Sequence, residues 1–419
     1  MAFEFSNPKL DELKRKLIDF CEREVGPAQH AWEKHLEDNA RKHNGNRFAT
    51  VPPIIEDLKK KAKTLGLWNV WMPKTYLPLG AGLTNLEYAQ LAEIMGRYPL
   101  ASEACNCSAP DTGNMEVLAK YGTPEQKEKY LVPLMNGEIR SAYLMTEPLV
   151  ASSDASNIAT KIERKGNEYV LNGRKWWSSG VLDPRCKIAI VMGQTDPNND
   201  NVHKRQSMIL VPTDTPGFII ERHLTVFGYD DAPEGHGEVV LSNVRVPTSN
   251  LVLGEGRGFE ISQGRLGPGR LHHCMRTIGL AEKAQELMIA RAKSRVTFGK
   301  SIITHGMVAN DIALNRMEID QARFMVLYTA AMIDKAGDTS LVRREIAAIK
   351  VIVPRMACVV VDRAIQVFGG MGVSQDVPLA RIYAGVRSLR IADGPDEVHI
   401  RTLALLESKA GGRPLKASM

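Results

Sequence analysis

The run Glu168-Tyr169-Val170-Leu171-Asn172-Gly173-Arg174-Lys175-Trp176-Trp177-Ser178 decides how the middle of the chain is read. Asn172 and Gly173 both tolerate positive φ and stand between two short segments of strand composition, which predicts a hairpin turning at Asn172-Gly173. Outward from this run the period stays at two. Ile188 to Met192, Ser207 to Val211, Phe218 to Ile220 and Glu238 to Leu241 are short, β-branched and bounded by Gly, Pro, Asn and Asp. Residues 139–253 are therefore expected to form a small antiparallel β domain, with a polar, Asn-rich, mobile loop from Asp196 to Arg205.

On either side the period becomes helical. Leu10, Leu13, Leu17 and Phe20 recur three or four apart among charges, and so do Leu280, Ala284, Leu287 and Met288. Thr123, Pro124 and Gln126 mark a helix start, because Thr caps, Pro loses nothing in a first turn and Gln closes a capping box. Gly337 to Thr339 and Gly369 to Gly372 each break one helix from the next. The expected class is α+β, with helices over 1–138, the β domain over 139–253 and helices again over 254–419.

The 419 residues carry 54 Lys and Arg against 48 Asp and Glu, a net charge of +6, with 24% charged and 44% hydrophobic residues, which excludes disordered and fibrous classes. The longest apolar stretch, Val351 to Val361, is interrupted by Pro354 and Arg355, too short for a spanning helix and giving no expectation of a membrane. Six scattered cysteines do not suit a disulfide framework and point to a reducing compartment. No secretory or transit signal is visible at Met1–Phe5, and the C-terminal Ala-Ser-Met is not the peroxisomal Ser-Lys-Leu. Cytoplasm, peroxisome and mitochondrial matrix stay open. Basic residues are interspersed with acids and form no aromatic-interleaved stripe, so nucleic acid is not an expected partner.

Gly254-Glu255-Gly256-Arg257-Gly258 is read as a turn between domains. A dinucleotide fingerprint would need a glycine where Phe259 stands and an acid ending a second parallel strand. Cys105-x-Cys107 lacks a second pair, and His272-His273 would point about 100° apart on a helix, so no metal site is expected and both pairs are read as structural. No G-x-S-x-G nucleophile motif occurs. Three stretches look too specific for packing alone. Met145-Thr146-Glu147-Pro148 with Ser152-Ser153-Asp154 pairs with Lys175-Trp176-Trp177-Ser178-Ser179-Gly180, whose hydroxyls, turn N–H groups and aromatic plane suit a phosphate joined to a flat heterocycle. Arg295-Val296-Thr297-Phe298-Gly299-Lys300 ends a long helix, where a basic residue also answers the helix dipole. Gln366-Val367-Phe368-Gly369-Gly370-Met371-Gly372 precedes Ile391-Ala392-Asp393-Gly394-Pro395-Asp396-Glu397-Val398-His399; its glycines permit close backbone approach, and Asp393 suits a helix cap equally well.

In this order and with this helix, β, helix pattern, the three stretches resemble the acyl-CoA dehydrogenase family over nearly the whole chain. The wording from Asn106 to Asn114 and from Ala392 to His399 looks like its family-member ten and eleven branch, whose kinase-like or phosphatase-like extensions these residues do not contain. The resemblance implies a C-terminal four-helix bundle and an FAD enzyme that desaturates an acyl-CoA thioester, passing electrons to an electron-transfer flavoprotein. It places the α-proton-abstracting carboxylate on Asp393, where most members have Glu, one methylene longer by about 1.5 Å, in a step sensitive to shifts of about 1 Å. It implies flavin contacts at Met145, Thr146, Trp177 and Ser179, the last where Thr is usual. Ser153 falls on a pyrophosphate contact. Arg295, Phe298, Gln366, Gly369, Gly370 and Glu397 fall on positions that hold FAD, several of them from a neighbouring subunit, so a homodimer or homotetramer is implied. Arg270 and Gly394 fall on substrate-binding positions.

Three further departures accompany the resemblance. Leu149 and Ala151 occupy a loop that is usually Gly-rich, Gly306 stands where Gln is common, and Ala384-Gly385 replaces an Arg-Asp pair. Two other functions compete. A nitroalkane-oxidase-like enzyme of the same fold would also use an Asp base with oxygen as acceptor, and a non-catalytic DNA-binding flavoprotein would draw on the positive charge.

Overall fold

In the computed structural model, which describes residues 6–76 and 78–409, Glu168–Ser179 is one continuous strand rather than the two arms of a hairpin. The chain reverses two residues earlier, at Gly166-Asn167, where Gly166 takes φ +62°, joining Lys161–Lys165 (β2) to Glu168–Ser179 (β3) in antiparallel register from Lys165↔Glu168 to Lys161↔Asn172. Asn172-Gly173 is instead an irregularity inside β3, where pairing to His236–Pro247 (β7) slips between Leu171 and Gly173. Glycine is required there for a different reason than a turn: a Cβ on Gly173 would stand 2.4 Å from Thr160 Oγ1.

Four other strands contain the expected segments Ile188 to Met192, Ser207 to Val211, Phe218 to Ile220 and Glu238 to Leu241, and the strand Arg140–Leu144 adds one that was not among them. Arg140–Leu144 (β1), Cys186–Gln194 (β4), Gln206–Pro212 (β5) and Phe218–Leu224 (β6) complete seven strands in the order β1-β4-β2-β3-β7-β6, with β5 on β4. The sheet is not wholly antiparallel, since β1 runs parallel to β4 and Lys161 of β2 meets Gln194 of β4 in parallel. Alternation puts Ile162, Leu171, Ala189, Val191, Ile209, Val211, Val239 and Leu241 into one buried cluster, each full burial worth about 1.5–3 kcal/mol for a large aliphatic side chain. Edge strand β6 leaves Ile219 and Ile220 exposed but carries Glu221, Arg222 and His223, charges that oppose edge-to-edge pairing.

This sheet belongs to a unit formed by residues 8–83 and 98–269. Its helices bear out the amphipathic reading, with Leu10, Leu13, Leu17 and Phe20 all buried along Pro8–Phe20. The expected capping box is formed, Gln126 N donating to Thr123 Oγ1 and Thr123 N to Gln126 Oε1, both at 3.2 Å.

The second unit takes residues 1–7, 84–97 and 270–419; Met1–Phe5 and the closing basic tail, with the compartment expectations placed on them, lie outside the described residues. The unit division falls within the Gly258–Ser294 helix. Gly306–Ala336, Arg343–Phe368, Leu379–Ser388 and Asp396–Lys409 follow, with left-handed Gly337 ending the first of them and Gly369 the second, as the breaks at these glycines predict. The Asn85–Gly96 helix joins them through two contacts that admit no side chain: a Cβ on Gly96 would lie 2.1 Å from Arg276 O, and one on Gly279 2.0 Å from Glu93 O. Asp334 then accepts the N–H groups of Asn85 and Leu86 at 2.8 and 2.9 Å, capping that helix.

Among the described residues all six cysteines are free, no cluster of His, Cys, Asp and Glu has the makings of a metal site, and no helix is long and apolar enough to cross a membrane.

Candidate active site

The first site lies at the ends of β1 and β3, in the sheet-bearing unit. Met145 and Thr146 follow β1, and their carbonyls are both occupied. Lys175 Nζ, fully buried, donates to Met145 O at 2.9 Å, to Met192 O at 2.6 Å and to Glu147 Oε1 at 2.7 Å, while Trp176 N donates to Thr146 O at 3.0 Å. Glu147 completes the brace by accepting from Ala159 N, Thr160 N and Thr160 Oγ1 at 2.6 to 2.9 Å. Burial lowers the Lys175 pKa to about 8 although Glu147 opposes the shift, so the buried pair depends on that carboxylate. The Thr146-Glu147-Pro148 wording thus divides its labour: Glu147 is the anchor, and the Thr146 N–H, without an acceptor among the described residues, is the group presented.

Trp177 sits in an interruption of the β3–β7 ladder with φ +51°, a conformation few aromatic residues adopt, and its indole is 39% exposed. Ser179 Oγ lies 2.9 Å from His236 Nδ1, and His236 Nε2 lies 3.3 Å from Asp231 Oδ2. Trp176 Nε1 and Ser178 Oγ are buried with no partner among the described residues. Presented amide and hydroxyl groups beside an exposed aromatic face fit a flavin ring. Ser153 is exposed, and the neighbouring Ser152 shapes its loop, accepting from Glu147 N at 2.8 Å. Leu149, one of the departures, projects from that loop at 88% exposure.

The second site lies wholly in the helical unit, where the last turns of chain before Asp396–Lys409 are clamped from several sides. Asp393 takes φ +56° and Gly394 φ +101°. Arg270 Nε donates to Asp393 O at 2.9 Å, and His399 Nε2 donates to the same carbonyl at 3.3 Å. Lys350, buried, donates to Leu389 O and to Gly394 O. Burial lowers the Lys350 pKa, with Arg270 adding to the effect and Cys274, Asp393 and Asp396 opposing it. Asp396 accepts from Arg355 and Arg390, both at 2.9 Å, which ties it to the Arg343–Phe368 helix and to the stretch after Leu379–Ser388. A side chain on Gly394 would meet His399 Nε2 at 2.8 Å, so glycine is obligatory. The Asp393 carboxylate reaches His273, Oδ2 to Nε2 at 2.9 Å.

The remaining residues are found on exposed backbone. Arg295 lies one residue past the end of the Gly258–Ser294 helix, and Phe298-Gly299 forms the tip of a hairpin joining Val296–Thr297 to Lys300–Ser301, with Phe298 94% exposed. Gln366, Gly369, Gly370 and Glu397 are exposed too, and added side chains at the two glycines would meet nothing within 4 Å.

Sequence reasoning missed His273, Lys350 and the Lys175–Glu147 brace. Of the pair read as structural, His272 is buried edge-on against Tyr88 at 5.0 Å between centroids, while His273 reaches the Asp393 carboxylate. The available signal was spacing: Arg270 and His273 are three apart, on one helix face.

Helices, a curled β domain presenting an amide and an exposed indole at the ends of β1 and β3, and helices carrying one clamped carboxylate define a class of flavin-binding proteins built on this chain pattern. The chain belongs to the acyl-CoA dehydrogenase family: its N-terminal domain model matches residues 7–138, its middle domain model 142–244 and its C-terminal domain model 256–405. "Acyl-CoA dehydrogenase family member 10" of Mus musculus is 53% identical over 97% of this chain, and "Acyl-CoA dehydrogenase family member 11" of Homo sapiens 52% over 98%. The chain spans only 38% and 52% of those relatives, but 97% of "Probable acyl-CoA dehydrogenase FadE2" of Mycobacterium tuberculosis, at 52% identity. Among solved structures, a Mycobacterium abscessus chain assigned to the acyl-CoA dehydrogenases aligns over 97% of this chain and 99% of its own, with 47% identity and a TM-score of 0.91. Butyryl-CoA dehydrogenase from Megasphaera elsdenii aligns over 97% and 100%, with 27% identity and a TM-score of 0.79.

Proposed function

We propose that the protein is an FAD-dependent acyl-CoA dehydrogenase in which Asp393 removes the α proton of the thioester. The observation that carries this reading is the clamped Asp393: its backbone is held by Arg270 and its carboxylate by His273, in a family whose members act on acyl-CoA. When bound, FAD supplies the acceptor for the hydride that leaves Cβ. The chain's own residues do the rest. Asp393 forms an O–H bond as the Cα–H bond breaks, and the electron pair stays on the substrate as an enolate. A positioned general base of this kind contributes about 10²–10⁴-fold. Thr146 N–H, Trp177 and Ser179 would hold the flavin ring, and Ser153 its pyrophosphate. Arg295, Phe298, Gln366, Gly369, Gly370 and Glu397, all exposed, would hold FAD, with Arg295, Phe298, Gln366 and Gly370 reaching it across a contact with a second copy, which makes a homodimer or homotetramer the working form. Gly394 and Arg270 would line the thioester, and an electron-transfer flavoprotein would receive the electrons.

Anaerobic absorbance of the purified yellow protein against straight, branched and hydroxylated acyl-CoAs tests the reading. Bleaching by at least one of them, and a loss of about 10²–10⁴-fold in its rate in Asp393→Asn, is expected. A yellow protein that none of them bleaches, or an Asp393→Asn variant that bleaches as fast as the parent, would remove it. Nitrite and hydrogen peroxide from nitroethane would point to the oxidase instead.

A further inference from the structure

His273 is partnered at both ring nitrogens. Nε2 lies 2.9 Å from Asp393 Oδ2, and Nδ1 lies 3.3 Å from Arg276 Nη2, three residues along the same helix. A guanidinium has five donors and no acceptor. Nδ1 therefore accepts, which assigns the ring's remaining proton to Nε2, the nitrogen that faces the carboxylate. The surroundings keep the ring in that neutral form. Burial lowers its pKa first; the Asp393 carboxylate opposes this, while Arg276 from its own helix and Lys350 from the Arg343–Phe368 helix lower it further. Arg270 and His399 are the other charged or titratable groups that close on the Asp393 segment.

From this geometry we infer that His273 is a positioning residue for Asp393: a neutral imidazole, fixed as its Nε2–H tautomer by Arg276, that aims the carboxylate and passes no proton onward. The inference rests on the reading of Asp393 as the base. An aspartate is shorter than the glutamate common in the family, and each of its rotamers places the oxygens differently, so tying Oδ2 to a fixed donor decides where the carboxylate points. Arg270 and His399 hold the backbone carbonyl, and His273 holds a carboxylate oxygen of the side chain. The ring is also a dead end for protons. A relay through imidazole needs an acceptor at the far nitrogen, and Arg276 offers none there. The α proton therefore stays on Asp393 until it leaves by another route.

The test uses the FAD-loaded protein and 3-thiaoctanoyl-CoA, in which sulfur replaces Cβ, so that no hydride can leave and the reaction stops at the deprotonated thioester. Its signature is a long-wavelength charge-transfer absorbance. His273→Leu removes the donor, while His273→Gln places an amide N–H close to where Nε2–H stood. The expected result is a rate of band formation about 10–100-fold lower in His273→Leu, with its half-saturating ligand concentration within about threefold, and recovery to within about fivefold of the parent in His273→Gln, since a misplacement of about 1 Å costs about 10²-fold. An unchanged His273→Leu, or equal defects in the Leu and Gln variants, would overturn the positioning role. Asp393→Asn separates the two claims. If it forms no band while His273→Leu behaves like the parent, Asp393 stands as base and His273 fails as its guide. If Asp393→Asn still forms the band, the base assignment itself falls.

Discussion

Around Arg140 the protein buries full charges, and around His272 and His399 it buries rings kept neutral. Arg140, at the start of β1, reaches Asp111 at 2.8 Å, Glu103 at 3.1 Å, Asp183 at 3.7 Å and Glu234 at 2.5 Å. Arg185 adds contacts to Glu103 and Asp183 at 2.7 Å. Burial alone would raise the pKa of Glu103, but Arg140, Arg185 and Lys59 outweigh it and hold the carboxyl well below its usual range. Glu234 goes the other way: burial pushes it up, with Glu103 and Asp183 adding to the effect and Arg140 opposing it. In the helical unit, burial lowers His272 to about 3 and His399 to about 4, with nearby cations helping. The Arg140 cluster meets the cost of buried polarity by pairing ions, the two rings by refusing protons. The difference teaches where each unit is vulnerable.

The largest effect is expected on the ionic side. Arg140→Met would leave three buried carboxylates and the half-buried Glu234 short of their shared cation, which costs about 3–5 kcal/mol when a buried partner is removed. Urea unfolding followed by tryptophan fluorescence should show the midpoint collapse; a change below about 1 kcal/mol would mean that the cluster is solvated and the contrast false.

Acid should then separate the units. His272 and His399 have folded pKa values depressed below the ordinary 6.5, so below that pH the unfolded chain binds protons that the folded rings do not. Stability is full above about pH 6.5 and falls as the pH drops toward the folded values, by about 2 kcal/mol for His272 at pH 5. The Glu103 contribution is present above pH 4.5 and is lost only below it. Hydrogen exchange at about pH 5 should therefore loosen peptides of 270–409 before those of the sheet, and His272→Phe should flatten the loss. Equal loosening of both would break the comparison.

The smallest effect is a control on charge itself. Arg245 and Glu168 pair at 3.2 Å with both side chains about half exposed. Arg245→Ala should change stability by less than about 1 kcal/mol. A loss approaching that of Arg140→Met would mean that ion pairing matters here irrespective of burial.

These contrasts also mark what the sequence could and could not announce. Period-two alternation located five strands, because alternation is a local consequence of a pleated, half-buried surface. It misplaced one turn, because Asn172-Gly173 satisfies the dihedral demand of a hairpin as well as Gly166-Asn167 does, and the glycine at 173 answers a close approach of Thr160 that no local pattern shows. Glu147 and Lys175 were quoted within motifs, yet their brace depends on Thr160 and Met192, residues that no motif contains. Asp393 was singled out by resemblance, since its position before Gly394-Pro395 also suits a cap. For His273 the sequence offers only its spacing from Arg270 on one helix face, because its partner Asp393 is remote in sequence.

Asp393 combines a short acid with a left-handed backbone. Among residues with side chains, aspartate, asparagine and histidine are the ones that occupy that region with relative ease. Introducing the longer glutamate would alter reach and strain the left-handed backbone at once, so the side chain and the bend are coupled. Aspartate here is half of a lock whose other half is the shape of the loop, and an evolutionary path between the two acids has to turn both together.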